Sequence, residues 1–275
     1  TPWWIKSLLT FQYASAVVLL IWVVTVYFQL DYILNKHMGI DENGIMVVDC
    51  PLNRQEDYNS KLEYFVTEAY KINGVRTASL SKSIMGDGAG LPQFAQRNEG
   101  TAVVGLFSNG GVDENFLNLY GIRLLEGRNF NANSPSNHKS VLLSSGATKR
   151  LGFSSPAEAI GARIILNYQV KDIEIIGVYD EYKSVPFFAN IQSSPGTLLT
   201  YKNTITQDQP ASKMSFKINL QYTSTIVTEL DELYRSVFPL ETFNWVFLDQ
   251  NIRRNYAQEQ ITRNQIILFT FLAIG

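Results

Sequence analysis

The chain has 275 residues, 45% of them hydrophobic and 17% charged, with a formal net charge of −2. This is the profile of a folded protein, and a balance so close to neutral gives no polyanion-binding footprint, so nucleic acid is not an expected partner. Cys50 is the only cysteine, which excludes an intrachain disulfide and a cysteine-based zinc cluster.

From Phe11 to Leu30 the sequence reads FQYASAVVLLIWVVTVYFQL without a charge, and uncharged residues extend back to Ser7. At about 1.5 Å per helical residue, this run can cross a hydrocarbon core about 30 Å thick. Trp3, Trp4, Tyr27 and Tyr32 flank it as interfacial anchors do. A signal peptide would have a shorter apolar core and a small-residue cleavage site, whereas here the run gives way to Gln29, Asp31, Tyr32 and Lys36. A buried core helix fits apolar runs of about 10 to 14 residues better. The stretch therefore predicts a membrane span. A second apolar run starts at Ile266 and continues to Gly275, so the chain reads as the middle piece of a longer protein, with two spans flanking a folded domain. Lys6 before the first span and Arg253, Arg254 and Arg263 before the second lean against an external domain under the positive-inside rule. That rule counts short loops, and long domains translocate largely regardless of charge.

After Leu30 the helix is expected to leave the bilayer as a stalk through DYILNKHM and to end at Gly39. Gly44 to Asp49 reads as a buried strand, Arg54 to Ile72 as an amphipathic helix closed by Asn73 and Gly74, and Val75 to Lys82 as an alternating strand. Ser83 to Gly100 reads as a loop. Val103 to Phe107 and Val141 to Leu143 are expected short strands, and Asp113 to Leu119 and Ser145 to Leu151 short helices. Ala162 to Gln169 and Asp172 to Tyr179 predict a hairpin leading back into the first sheet. The strand–helix–strand order then returns: Lys213 to Leu220 alternates, Ile226 to Val237 has helical spacing and stops before Pro239, and Phe243 to Leu248 is a strand. Asp249 is placed to cap a final helix that runs without Pro or Gly toward Ile266.

Two βαβ-like halves can share one sheet with both helices on the same face, so the expected class is an α+β sandwich with an inserted small α/β subdomain, between two transmembrane helices. The expected bounds are 1–39 for the first span and stalk, 40–100 for the first half of the sandwich, and 101–168 for the insertion. The second half occupies 169–248, and the second stalk with the start of its span 249–275.

Four segments carry a resemblance: GIRLLEGRNF (Gly121 to Phe130), EAIGARI (Glu158 to Ile164), IEIIGVYDEY (Ile173 to Tyr182) and FLDQNIRRNYAQEQ (Phe247 to Gln260). In order and spacing, with the N-terminal apolar stretch, the chain resembles the MacB/FtsX-like family of ABC transporter permeases. The likeness implies a porter-like sandwich carrying a sabre-like insertion on the extracytoplasmic side of the cell (inner) membrane, about residues 31–262. It also implies a separate cytoplasmic ABC ATPase subunit, membrane lipid around the spans and a dimer of permease subunits or halves. The opening apolar stretch is similar to the start of the second half of duplicated eight-helix members. Taken as residues, Gly121, Gly127 and Gly161 suit turns with unusual backbone angles, and Arg128 can hold a loop by donating to carbonyls. Gly177 marks a bulge or close approach. Ser144 and Ser145 stand where members of that family often carry Asn and an acidic residue, which questions a local helix cap.

No catalytic constellation emerges, and no catalytic, cofactor-binding or metal site is assigned. The Gly-rich GDGAG at Gly86 to Gly90 is succeeded by Leu91 and Pro92 and lacks the cation a phosphate loop needs. His37 and His138 have no carboxylate at ligand spacing, and Leu142 replaces the first glycine of a nucleophile elbow around Ser144. Asp180 and Glu181 are adjacent, which in a strand points them to opposite faces. The expected function is that of a permease subunit without enzymatic activity of its own, its extracytoplasmic domain coupling ATP hydrolysis by a partner to export or mechanotransmission. Asp31, Tyr32 and Lys36 on the first stalk, and Asp249, Arg253, Tyr256 and Glu259 on the second, are the candidate coupling residues. The alternative is the sensor domain of a two-span receptor. The two differ beyond Gly275, where a permease has further apolar spans and a receptor a long soluble helical region. A membrane-anchored enzyme ranks third.

Overall fold

The computed structural model describes residues 2–35, 41, 43–52, 57–84, 91–98, 103–167, 170–182, 196–202 and 211–254. Contacts divide the chain into two units, residues 1–37 with 253–275, and residues 38–252. Each is described by itself.

In the first unit, α1 (Trp3–Asn35) is one unbroken helix that extends beyond both ends of the uncharged run. Its stretch from Trp3 to Trp22 is long and apolar enough to cross a membrane by length and composition. Trp3, Phe11, Val18 and Phe28 expose their side chains, which in water would forgo the gain from burying them. Thr10 and Thr25 turn their hydroxyls back onto the carbonyls of Lys6 and Ile21 at 2.9 and 2.8 Å, so these polar groups are satisfied inside the helix. The expected stop at Gly39 lies outside the described residues.

The second unit is built around two cores. The first belongs to β1 (Ile45–Asp49), α2 (Tyr58–Ala69), β2 (Val75–Ser81), β10 (Lys213–Ile218), α6 (Thr223–Val237) and β11 (Trp245–Phe247). Hydrogen bonding orders the strands β11-β1-β10-β2, with every neighbouring pair antiparallel. β10 thus separates β1 from the parallel β2, and β1 separates β10 from the parallel β11, which is a split βαβ unit used twice. The period-2 pattern sends Met46 and Val48 of β1 and Met214, Phe216 and Ile218 of β10 to one face. There they meet Leu62, Phe65 and Ala69 of α2 and Ile226, Leu230 and Tyr234 of α6. Both helices lie on that face, as the sequence predicts. The other face carries buried Ile45 and Val47 and receives α3 (Phe116–Leu119), with the Tyr120 hydroxyl 2.8 Å from Ser215 Oγ.

The second core lies inside the long insertion between β2 and β10. Its strands are β3 (Leu91–Arg97), β4 (Val103–Val112), β6 (Ser140–Ser144), β7 (Arg163–Leu166), β8 (Val170–Tyr179) and β9 (Thr197–Tyr201). They pair in the order β4-β3-β7-β8-β6-β9, and β9 pairs back onto β4, so the six close into a ring. Closure gives every strand of the set a partner on both sides over at least part of its length. β5 (Leu124–Gly127) pairs with β8. Leu106, Val141, Leu143, Ile164, Ile173, Ile175 and Leu198 fill the core together with Ala147 and Leu151 from the region of α4 (Ser145–Arg150) and Ala159 of α5 (Pro156–Ala159).

Three expectations are corrected. The loop expected at Ser83 to Gly100 contains β3, whose Pro92 faces β4 alone because β7 pairs only with residues 95–97; a proline is admissible in a strand on such an edge. The hairpin of β7 and β8 does not lead back to the first sheet, since β8 pairs with β5, β6 and β7. Asp249 is not the cap of the final helix, α7: the helical residues are 248–254 and Asp249 sits one residue inside the first turn, where a carboxylate still complements the helix dipole.

Phe65 has no exposed surface and packs edge-on against Phe216 and Tyr234 at 6.2 and 5.6 Å between ring centroids. Phe65→Ala is expected to cost about 3–5 kcal/mol and Leu240→Ala, at an exposed loop position, no more than about 0.5 kcal/mol. Urea unfolding of the full chain in mild detergent, monitored by circular dichroism, distinguishes the two.

Candidate functional site

The strand order decides where the chain enters and leaves the first sheet. β1 starts and β11 ends at the same end, here named the root, while β2 ends and β10 starts at the opposite end, the tip. Both connections toward the apolar segments therefore leave the root on neighbouring strands, and the insertion leaves and returns at the tip.

At the root, the incoming chain is fixed by Asp41. Its N–H donates to the Tyr120 carbonyl at 2.9 Å, one carboxylate oxygen accepts from Lys217 Nζ at 2.8 Å, and the other accepts from the Asn43 N–H at 3.2 Å. Lys217 also donates to the Asn43 carbonyl at 2.6 Å. The hydrogen bond from Lys217 holds the Asp41 carboxyl below its usual 3.8 against a smaller opposing effect of burial. Gly44 then turns at φ +63°, where an added Cβ would stand 2.9 Å from the Ile218 carbonyl, so the backbone conformation and the close approach both call for glycine. At the exit, Leu248 and Ile252 of α7 are buried, Asp249 is half-buried and Arg253 is exposed.

Of the candidate coupling residues, Asp31 and Tyr32 lie on α1, and Asp249 and Arg253 lie four apart on α7, a spacing that puts both on one helix face. Lys36, Tyr256 and Glu259 lie outside the described residues. His37 and the GDGAG stretch do also. His138 is exposed in a 3₁₀ turn (Pro135–Lys139), its Nδ1 against the Pro135 carbonyl.

The tip holds the joint between the cores. Ser81 opposite Val112 is the single registered residue pair between β2 and β4. Around it, Lys82 N–H donates to the Gly111 carbonyl at 2.9 Å and Asp113 N–H to the Leu80 carbonyl at 3.1 Å. The Asp113 carboxylate accepts from Ser79 Oγ at 2.6 Å, the Leu80 N–H at 2.7 Å and the Asn115 N–H at 3.1 Å. Next along β2, the Tyr70 hydroxyl accepts from the Ala78 N–H at 3.0 Å and lies 3.1 Å from its carbonyl. The outer edge of β2 is thus closed by a phenol and a carboxylate rather than by a full strand. Lys202, just after β9, reaches Glu63 on α2 at 3.1 Å and adds a second tie across the joint.

Sequence reasoning missed Asp113 and Lys217. The DENF run before α3 signals a helix start, but its acceptor role toward β2 joins residues 33 and 34 positions apart, a distance that local pattern does not carry. The questioned cap at Ser144 is present in another form. Ser144 Oγ accepts from the Ala147 N–H at 3.2 Å and the Thr197 N–H at 2.9 Å, and the acidic acceptor comes from Glu181, whose Oε2 receives the Gly146 N–H at 2.7 Å. Asp180 instead pairs with Arg123 at 2.9 Å. The two adjacent acids therefore serve separate partners. Gly177 is a close approach, as expected: a Cβ there would lie 2.5 Å from the Arg128 carbonyl. Arg128 itself is exposed and, among the described residues, donates to the Asn129 carbonyl at 3.5 Å, a long bond to its own neighbour.

Residues 14–232 match the profile of the MacB-like periplasmic core domain. The chain belongs to that family. The match starts inside α1 and runs through both cores into α6, so this MacB-like core domain has its insertion within the family's own pattern, and the resemblance drawn from the four segments holds. No curated protein matches the chain. Among solved structures, the extracellular domain of the noncanonic ABC-type transporter YknZ from Gram-positive bacteria is similar, with 14% identity, a TM-score of 0.49 and coverage of 73% of this chain and 98% of that one.

The Asp41–Lys217 pair is solvent-facing, with more than half of the Asp41 side chain accessible, so it is worth no more than about 1 kcal/mol. Because the folded carboxyl titrates below its unfolded value, this stabilisation is complete above pH 3.8 and fades as pH falls through the lower folded value. Lys217→Met is expected to lower stability slightly at pH 7 and to lose that effect in acid, read from urea midpoints across pH.

Proposed function

We propose that this MacB-like core domain belongs to the permease subunit of an ABC transporter of the MacB/FtsX type, in the cell (inner) membrane with the domain on its extracytoplasmic side. The family membership carries the reading, and the exposed apolar surface of α1 supports it. ATP hydrolysis falls to a separate cytoplasmic subunit, and this chain contributes no catalysis. Movement of the membrane helices reaches the domain through the two stalks, with Asp31, Tyr32, Lys36, Asp249, Arg253, Tyr256 and Glu259 along the route. The root geometry suits this task, because the two connections end on β1 and β11, which pair directly through Met46–Phe247 and Val48–Trp245. A relative shift of the stalks would act on one hydrogen-bonded strand pair rather than on distant parts of the fold. Permease subunits or halves would work as a dimer, so that two such domains face each other.

The insertion is proposed to act as the moving arm. Its bounds are proposed as 101–168 from the sequence, and the second core also draws on Ala95, Ile173, Ile175, Val178 and Leu198.

The expected result of gentle purification of the intact membrane protein is a stoichiometric ATPase subunit with phosphate-loop motifs and measurable ATP hydrolysis. Recovery of a kinase instead would favour the sensor reading. A Gly-Pro insertion after Tyr256 should uncouple hydrolysis from transport or target activation while leaving the complex assembled; full coupling in that variant would sink the rigid-stalk route.

A further inference from the structure

Three turns meet at the root of the first sheet: Asn43 and Gly44 before β1, residues 72–74 before β2, and a 3₁₀ turn (Leu220–Tyr222) after β10. They are locked together, since the Ile218 N–H donates to the Gly44 carbonyl and the Asn219 N–H to the Gly74 carbonyl, both at 2.8 Å. On this platform Leu220 and Tyr222 are 57% and 42% exposed. Single apolar residues scattered over a surface are ordinary, but these two share one turn. Residues 218–228 and 72–75 carry no charge, whereas the tip holds the ion pairs Lys213–Asp49 and Lys202–Glu63. We infer that the root rests on the membrane surface, with Leu220 and Tyr222 entering the headgroup layer of the lipid. The inference rests on the proposed permease reading, which puts α1 across a membrane.

Three observations point to lipid as the occupant. The first is reach. Five residues, 36–40, join the end of α1 to Asp41, and six peptide steps of at most about 3.6 Å make a tether no longer than about 22 Å by whatever path. Asp41 is tied to Lys217, and Leu220 covers Gly44, its Cγ 3.7 Å from where a Cβ would stand, so the short tether ends beside the apolar turn. The second is that the turn meets its own polar needs. Asn219 Oδ1 accepts from the Gln221 N–H at 3.2 Å, the Tyr222 N–H donates to the Asn219 carbonyl at 3.0 Å, and Thr223 Oγ1 donates to the Leu220 carbonyl at 2.7 Å. A turn so satisfied can enter a water-poor layer without leaving these groups unpaired. The third is residue type: a tyrosine places its ring in the apolar edge of the interface and its hydroxyl in the headgroups. Arg76, exposed two residues beyond Gly74, adds a cation suited to anionic headgroups. The domain is then held by a lipid contact as well as by its two connections, and a movement that lifts the root must withdraw Leu220 and Tyr222 from the interface.

Fluorescence quenching by spin-labelled lipid tests this. The full chain, with the buried Cys50 replaced by Ala and one fluorophore on Asn73→Cys, is placed singly in nanodiscs of phosphatidylcholine and phosphatidylglycerol that contain headgroup spin-labelled phosphatidylcholine. The fluorophore at Asn73, exposed in the root turn, should lose most of its emission. One on Leu240→Cys, past the tip end of the 15-residue α6, should keep it. Leu220→Asp combined with Tyr222→Asp should restore the emission at Asn73. Should that pair unfold the domain, Gln221→Glu, at an exposed position between them, should restore part of it. A fluorophore on Val18→Cys of α1, with acyl-chain spin labels, reports separately on the membrane reading. Quenching at Val18 without quenching at Asn73 overturns the lipid contact while the span stands; no quenching at Val18 removes the span and the inference with it. Equal quenching at Leu240, or quenching at Asn73 that survives the substitutions in the turn, also overturns it. Shielding of Asn73 from an aqueous quencher with no effect of the spin-labelled lipid would instead assign the surface to protein, a second copy or another segment of this chain, and overturn the lipid contact as well.

Discussion

The pairing that places β10 between β1 and β2 is the constraint on which the rest of the domain depends. Lys213 to Ile218 must bond Ile45 to Asp49 on one side and Val75 to Ser81 on the other, so the first core lacks its central strand until the chain has travelled through the whole insertion and returned. These contacts span 130 residues and more, and closing such loops costs entropy before any bond rewards it. The ring of the insertion reduces that cost, because once closed it holds the end of β4 beside that of β9: Lys202 N–H donates to the Val112 carbonyl at 2.8 Å. The chain leaving β9 is thereby delivered near the tip where β10 must begin.

Elements that bury one face in a local rhythm were legible in the sequence. β1, β2, β10, α2 and α6 announce themselves because their apolar residues recur at period 2 or 3.6, and their shared face comes from the split βαβ order. β3, β5 and β9 were not legible, for a physical reason visible in β3: Ala95 is fully buried while Phe94 beside it is half exposed, so its pairing with β4 and β7 rather than its own hydrophobicity defines it. The candidate coupling residues were legible only as polar positions on two expected helices. The root is fixed by the Asp41–Lys217 pair and the left-handed Gly44, a pair more than 170 positions apart in sequence, and nothing in either neighbourhood points to the other.

The polar groups of the domain divide by location. Lys61–Asp57, Lys71–Glu68 and Arg235–Asp231 join residues three or four apart on or beside helices, and such solvent-exposed pairs add little to stability. Buried polar contacts occur between the cores, as Ser79 with Asp113 and Tyr120 with Ser215, and inside the ring, as Tyr179 with Thr197 at 2.7 Å. Buried polar groups cost more to leave unpaired than they gain when paired. They therefore tie elements in one geometry without adding much net stability, and that is a property suited to surfaces that must hold a register and still separate.

Stiffness is unevenly distributed as a result. The first sheet is braced by two helices on one face and α3 on the other, and the ring is closed on itself, so deformation within either must break apolar packing that fills a whole core. Between β2 and the ring the tie is a handful of hydrogen bonds, each worth about 0.5–1.5 kcal/mol net, and one exposed ion pair, while α3 and Tyr120 hold the insertion to the other face of the first sheet by buried packing. A packed core repacks in discrete steps and does not stretch, so under the proposed coupling a displacement brought to β1 and β11 at the root would move the first core as one body.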